Sequence, residues 1–227
     1  MTKMLLGYWD LRGLGEPIRL MLEYAGFEYE DKRYQFIKEK EDYSDRNWTE
    51  PKYSLGFDYP NLPYLIDGDV KVTESWAIMK YLSRKFEKLG PENEEERIKC
   101  DVTEGVVQDV RKQFYDLCYS ATFVTSKEEF LQEIAPKLEQ LQRSLEHHTW
   151  LCGTNLKYVD FAFFEFLDHL RVCLPGSLDK YPLFVKSLKR FDSLEKIAAY
   201  KTSEKFQKCP VNGPMAQAGG QAIQGRP

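Results

Sequence analysis

The chain opens with short apolar runs set between breakers and moves, past its midpoint, to long helical spacings. Lys3 to Tyr8 begin with Met4-Leu5-Leu6 and meet Arg12-Gly13-Leu14-Gly15-Glu16-Pro17. That predicts a strand, a loop and a helix start, with Pro17 in the first helical turn. Ile18, Met21, Leu22 and Ala25 then recur at i, i+3, i+4 and i+7, and Gly26 stands where this helix would end. After a polar stretch from Tyr29 to Tyr34, residues Tyr64 to Thr73 read as two short strands joined by the Asp67-Gly68 turn. Ser75 then suits the N-terminus of a helix whose apolar face holds Ile78, Tyr81 and Leu82, with Lys80, Arg84, Lys85 and Lys88 crowding its cation-favouring end. The order β-α-β, hairpin, α implies a small sheet with helices packed on it.

Gly90-Pro91 ends that pattern, so the linker is placed at Phe86 to Pro91, between an α/β domain over 1–85 and an all-helical domain over 92–227. Ile98, Val102, Val106, Val110, Phe114 and Leu117 are taken as one apolar stripe behind the acidic run Glu94-Glu95-Glu96. A second helix is predicted to open at the capping box Ser126 to Glu129 and to carry Leu131, Ile134, Leu138, Leu141 and Leu145, with a kink at Pro136. Further helices are predicted over Tyr158 to Cys173 and Tyr181 to Tyr200. The tail after about 210 is rich in Gly and Gln and has no aromatic residue, so a mobile tail is expected.

Composition narrows the function classes. With 42% hydrophobic and 30% charged residues among 227, the chain is neither a disordered polymer nor a membrane protein. A net charge of -4 offers nucleic acid no global attraction. The apolar run Met4-Leu5-Leu6 is too short for a signal peptide or a membrane span, so a cytoplasmic protein is expected. The 5 cysteines are widely spaced without a CxxC, which argues for reduced packing thiols over a disulfide framework. No metal is expected, because His147, His148 and His169 lack ligand spacing with any cysteine.

Asn61 to Leu65, followed by the hairpin and Glu74-Ser75, has the layout of a cradle for a small peptide. A cis Leu62-Pro63 bond would turn the Leu62 amide and carbonyl outward as an edge on which an extended ligand can pair. Ser75 would offer a hydroxyl and a helix-start amide to a carboxylate, and Glu74 an acceptor to an ammonium group. Taken alone, a proline in a turn and a serine cap are ordinary structural features.

Leu6-Gly7-Tyr8-Trp9, Arg12-Gly13-Leu14, Pro17 to Leu20, Pro60 to Gly68, Tyr158-Val159-Asp160-Phe161 and Arg190-Phe191 together resemble cytosolic glutathione transferases, particularly the mu class. The match runs in order from about Met4 to Tyr200. It implies a thioredoxin-like N-terminal domain, a helical-bundle C-terminal domain, a homodimer, and glutathione as co-substrate with no cofactor. It also implies that Tyr8 hydrogen-bonds the glutathione sulfur. Leu62 would pair with the cysteinyl backbone, and Trp9, Arg46, Trp48, Lys52 and Asn61 would hold the tripeptide. Glu74 and Ser75 would take its γ-glutamyl head, and Asp109 would reach the partner subunit's site.

The chemistry demanded of Tyr8 is thiolate stabilisation, since a free thiol with a pKa near 8.5 is only a few per cent anion at neutral pH. The bland alternative is a strand-end aromatic packed on the core. Three positions depart from the mu pattern: Glu74 for glutamine, Tyr59 for the phenylalanine that plugs a partner pocket, and Lys157 where a Ser or Thr usually caps the Tyr158 helix. The last would leave Asp160 without its reciprocal hydroxyl, while Leu156 and Phe161 can still staple.

Gln108, Lys112, Tyr115 and Tyr119 recur at i, i+4, i+7 and i+11, off the valine stripe. The resemblance implies that they line the electrophile pocket, with Leu11 and Leu14 opposite and Tyr119 donating to a developing oxyanion. The other reading is a solvated face. A pocket carrying Gln108 and Lys112 favours polar or anionic electrophiles. The functional expectation is transfer of glutathione to electrophilic carbon, in detoxification. The alternatives are a non-catalytic ligand-binding or structural relative, and a glutaredoxin-like redox enzyme, disfavoured by the lack of a cysteine near the Tyr8 loop.

Overall fold

A computed structural model describes residues 3–40, 42–207 and 209–220, with the side chain of Gln207 also outside the description. Strand β1 (Met4–Trp9) leads through a loop to helix α1 (Glu16–Ala25), and β2 (Tyr29–Tyr34) returns parallel to β1. Gly26, at φ 75°, ends α1 in the left-handed region that glycine enters without a Cβ clash. The predicted hairpin forms as β5 (Tyr64–Asp67) and β6 (Val70–Thr73), with β5 antiparallel to β1, giving the order β2-β1-β5-β6. Polar β2 is an edge strand, which explains why its sequence has no apolar run. Helix α3 (Ser75–Lys85) joins α1 against the sheet and buries Ile78, Met79 and Leu82. Between β2 and β5 the chain adds a small hairpin, β3 (Ile37–Glu39) with β4 (Asp42–Ser44), and one helical turn, α2 (Arg46–Thr49). This is a thioredoxin-like sheet domain, and the helical part follows it.

Helix α4 (Glu94–Tyr119) is capped by Asn93, whose side chain accepts from the Glu96 amide at 2.9 Å. The predicted stripe is only half right: Val110, Phe114 and Leu117 are buried, but Ile98 and Val102 stand exposed at 57% and 63%. Steps of four residues advance about 40° around a helix beyond a full turn, so a row begun at Ile98 sits roughly 120° away by Val110. The buried face instead takes in Cys100, Val107, Arg111 and Cys118. Helix α5 (Phe123–His147) begins before the predicted capping box: Phe123 is buried and Ser126 Oγ only donates to Thr122 Oγ1 at 3.0 Å. It continues through Pro136. Helix α6 (Tyr158–Cys173) is buried from Tyr158 to Leu170 and touches α1, α3, α4 and α7 (Pro182–Asp192). The single helix predicted over Tyr181 to Tyr200 is broken, α8 (Glu195–Thr202) following α7, because Ser193 Oγ donates back to the Arg190 carbonyl and Leu194 is extended. A last short helix is α9 (Glu204–Gln207).

Lys157 does more than replace a cap. Asp160 accepts from the Lys157 amide at 2.8 Å and the Leu151 amide at 2.9 Å, and Leu156 and Phe161 are buried as expected of a staple. The Lys157 stem is wholly buried, and its ammonium reaches the Gly90 carbonyl at 2.9 Å, Glu92 at 3.0 Å and Glu96 at 3.1 Å. The side chain thus ties α6 to the linker and to the start of α4.

The expectation of a free tail from 210 is corrected up to Gly220. Its backbone supplies acceptors to amides in the Arg12-Gly13 loop: Arg12 N–H donates to the Pro210 carbonyl at 2.8 Å, and Gly13 N–H to that of Val211 at 3.1 Å. Without them the two amides of a buried turn would be orphaned. Val211 and Asn212 are buried. The part of the tail from 221 to 227 lies outside the described residues.

Candidate active site

Tyr8 emerges from β1 into a space kept open by glycine. A Cβ on Gly13 would stand 2.7 Å from the Tyr8 hydroxyl, and one on Gly15 would stand 2.4 Å from its ring. The Leu14 amide donates to the Tyr8 hydroxyl oxygen at 3.0 Å. Burial raises the Tyr8 pKa, outweighing the Leu14 hydrogen bond that lowers it, so the phenol is neutral near pH 7. A neutral phenol whose oxygen already accepts from an amide has its proton left to give.

The loop around Tyr8 is fixed from both sides. Arg19, buried on α1, donates to the Leu11 carbonyl at 2.8 Å and to Glu16 at 3.0 Å, and it also pairs with Asp31. Arg12 crosses to α6 and binds Glu165 through Nε at 2.7 Å and Nη2 at 2.6 Å, with Asp168 at 2.5 Å. His169 Nε2 lies 2.8 Å from Glu165, and Arg171 pairs with Asp168. Burial pushes the Glu165 carboxyl up, but Arg12 and His169 hold it well below the usual carboxylate range.

Next to Tyr8 an aromatic floor of Trp48, Tyr34 and Tyr64 packs with Leu11 and Leu62, and the Tyr34 and Tyr64 hydroxyls meet at 2.9 Å. Trp9 stacks on Phe36 at 4.1 Å. Leu62-Pro63 is cis. The Leu62 amide is not unpaired, since the Asn61 side-chain carbonyl accepts from it at 2.9 Å; a pairing ligand would displace that local bond. Asn61 Nδ2 donates to Glu74 at 2.9 Å. Glu74 has φ 69°, a left-handed value that costs a non-glycine residue about 1–3 kcal/mol. It lies between β6 and buried Ser75, the first residue of α3. Lys52 is half-buried over the Tyr53 ring, and Arg46 is exposed and paired with Glu39.

The α4 residues divide. The Tyr115 hydroxyl donates to the Gly13 carbonyl at 3.1 Å, and the Tyr119 hydroxyl accepts from the Gly213 amide at 2.7 Å. Gln108 is exposed. Lys112 is exposed and paired with Asp116 at 2.6 Å, so its charge is met at the surface. Asp109 is exposed and accepts from Lys137 at 2.9 Å. Three contributors escaped the sequence reading. A Cβ on Gly213 would meet Tyr119, Phe36 and Leu11 within 3.1 to 3.6 Å, which puts the tail and Phe36 beside Leu11 and Tyr119. Arg111, buried, approaches Gly13 and Tyr115. Its i, i+4 spacing from Tyr115 was the available signal. Among the described residues no group of three or more His, Cys, Asp or Glu is placed to hold a metal ion.

Comparison with known proteins is consistent across sequence and structure. Residues 4–84 match the family model "Glutathione S-transferase, N-terminal domain", and residues 108–204 match "Glutathione S-transferase, C-terminal domain". The chain is 43% identical over 222 residues to human Glutathione S-transferase Mu 3, covering 98% of both. It is 44% identical over 214 residues to rat (Rattus norvegicus) Glutathione S-transferase Mu 1, covering 94% of this chain and 97% of that one. The solved structure of the Onchocerca volvulus pi-class glutathione S-transferase superposes with a TM-score of 0.81 at 30% identity, covering 95% of this chain and 100% of that one.

Proposed function

The chain belongs to the glutathione S-transferase family, in its mu class, and on that premise we propose that Tyr8 holds the sulfur of glutathione as a thiolate for attack on electrophilic carbon. The carrying observation is the buried, neutral Tyr8 phenol, backed by the Leu14 amide in a glycine-lined turn. The thiol loses its proton to solvent, the phenol O–H donates to the anion, and the sulfur lone pair forms the C–S bond as the leaving group departs with its electrons. Leu62 pairs with the cysteinyl backbone, and Ser75 and Glu74 receive the two charged groups of the γ-glutamyl head. Trp9, Arg46, Trp48, Lys52 and Asn61 complete the tripeptide site. The strained Glu74 fits a cradle set before its ligand arrives, and the Asn61–Leu62 bond opens for the cysteinyl backbone to pair.

For the electrophile, Leu11, Leu14 and Phe36 supply apolar contact, and Gln108, Lys112, Tyr115 and Tyr119 the polar edge. The reading calls for hydrophobic or partly polar substrates and for the cytoplasm, a reducing compartment that suits five free cysteines. No described helix is long and apolar enough to cross a membrane. The test is conjugation of a chloronitroarene by the purified protein, alongside ultraviolet titration of bound glutathione. Turnover above background with a thiolate band persisting below pH 8 supports the reading, and glutathione binding without either would leave a non-catalytic relative.

We further propose a homodimer in which Asp109 completes the partner's site. Tyr59 at 82% exposure, with Ile98 and Val102, leaves apolar surface that a second copy would cover. Tyr59→Ala is expected to raise the dimer dissociation constant by tenfold or more, on the scale of truncating an interface anchor, about 2 kcal/mol. Asp109→Ala should leave the dimer intact and weaken glutathione binding. Sedimentation and activity over one dilution series check both; a Tyr59→Ala variant that dimerises like the parent would defeat the arrangement.

A further inference from the structure

One peptide group in the Tyr8 loop is bonded at both ends to side chains of the site. The Leu14 N–H donates to the Tyr8 hydroxyl at 3.0 Å, and the Gly13 carbonyl of the same peptide accepts from the Tyr115 hydroxyl at 3.1 Å. The Tyr115 oxygen accepts in turn from Arg111 Nη2 at 3.2 Å, and that nitrogen also lies 3.5 Å from the Gly13 carbonyl. Arg111 is 3% exposed, and its Nε has no partner among the described residues. Its situation differs from that of the other buried arginines: Arg12 and Arg19 each hold carboxylates, and the pairs Lys112–Asp116 on α4 and Lys137–Asp109 between α5 and α4 leave Arg111 out. The other group at the Tyr115 hydroxyl is His169, whose Nδ1 is 3.4 Å away; Glu165 and Arg12 stand behind it as a compensated pair.

We propose that Arg111 and Tyr115 are positioning residues that tune the acidity of glutathione through the Gly13-Leu14 peptide. The inference rests on the Tyr8 role proposed above and adds what sets that tyrosine's strength as a donor. A cation at the head of a hydrogen-bonded chain polarises each following member. Arg111 makes the Tyr115 proton a better donor, the Gly13 carbonyl responds, and the conjugated Leu14 N–H becomes more acidic. A stronger bond into the Tyr8 oxygen draws electron density from it and makes its O–H a better donor to the thiolate. The helical domain thereby reaches the sulfur without touching it, and Tyr115 acts on it through its hydroxyl, apart from any contact with the electrophile.

The experiment is ultraviolet titration of the glutathione thiolate on the holoprotein with no electrophile present, so that pocket effects cannot enter. Tyr115→Phe and Arg111→Met are each expected to raise the thiolate pKa by about 0.3–0.5 unit, a two- to threefold loss of thiolate below the pKa, from cooperative strengthening of 10–30% per bond. The dissociation constant for glutathione should not change at pH below the thiolate pKa, Arg111→Lys should recover part of the shift, and the double variant should move no further than either single one. In a Tyr8→Phe background the Tyr115→Phe shift should vanish, because the chain is cut. If Tyr8→Phe moves the titration but Tyr115→Phe and Arg111→Met do not, the relay is overturned while the role of Tyr8 stands. If Tyr8→Phe moves nothing, both fall. An undiminished Tyr115→Phe shift without the Tyr8 hydroxyl would show a field acting directly on sulfur, and that also overturns the relay.

Discussion

Tyr8→Phe is expected to raise the pKa of enzyme-bound glutathione by about two units, the weight of a hydrogen bond worth roughly 2.7 kcal/mol more to the thiolate than to the thiol. The ring stays in its pocket between Gly13 and Gly15, so only the hydroxyl and its bond to the Leu14 amide are lost. At a pH equal to the parent's thiolate pKa, the anion fraction falls from one half to about one per cent, about fiftyfold. The rate should fall less than that, because a more basic thiolate is intrinsically more nucleophilic. We expect a drop of about ten- to fiftyfold in kcat/KM near pH 6.5 that narrows as pH rises, with glutathione affinity changed less than about threefold. Stopped-flow conjugation across pH 6 to 9, with equilibrium binding beside it, checks the separation of binding from chemistry. A parallel collapse of affinity would mean that Tyr8 packs the site and does not act on sulfur.

The second large effect concerns the ion cluster beneath the Tyr8 loop. Arg12→Met leaves Glu165 and Asp168, both about 1% exposed, without the guanidinium that bonds them. Removing one partner of a buried pair costs about 3–5 kcal/mol, and here His169 beside Glu165 and Arg171 beside Asp168 hold the cost toward the lower end. The pH dependence has a definite sign. In the parent the Glu165 pKa is depressed, so its contribution to stability is present above the unfolded pKa and is lost as pH falls through the folded one. In the variant burial is opposed by His169 alone, so that pKa rises, and the penalty grows as pH rises from about 4.5 toward neutrality. Urea melts at pH 5 and pH 7.5, at one protein concentration because unfolding of a dimer depends on it, should therefore show the smaller loss at pH 5. Arg12→Lys keeps the charge without the fork and should lose less. Equal losses at both pH values would show that packing against Phe206, 4.8 Å from the guanidinium, and not charge, sets the cost.

By itself the sequence determined the elements that local punctuation marks. The β1-loop-α1 unit followed from an apolar run and the Gly-Pro breakers, the second hairpin from Asp67-Gly68, the start of α3 from Ser75, and α6 from the run Tyr158 to Cys173 that Pro175-Gly176 closes. The ordered array of short motifs carried the family, and with it the proposal for Tyr8. Only the tertiary structure decided where polar groups far apart in sequence meet. Arg12 and Glu165 are 153 positions apart, and Arg111 and Gly13 are 98 apart. On its own helix a buried charged residue has the same periodicity as a solvated one, and nothing in its neighbours announces the partner that neutralises or employs it. The short β3-β4 hairpin, whose residues are mostly exposed, also lacked an apolar signature. The tail was misjudged for a related reason. Its Gly- and Gln-rich composition offers little apolar surface, yet Pro210 and Val211 are held by backbone carbonyls that satisfy the Arg12 and Gly13 amides. Every residue except proline carries the same backbone donor and acceptor, so where those groups find partners is decided by the fold.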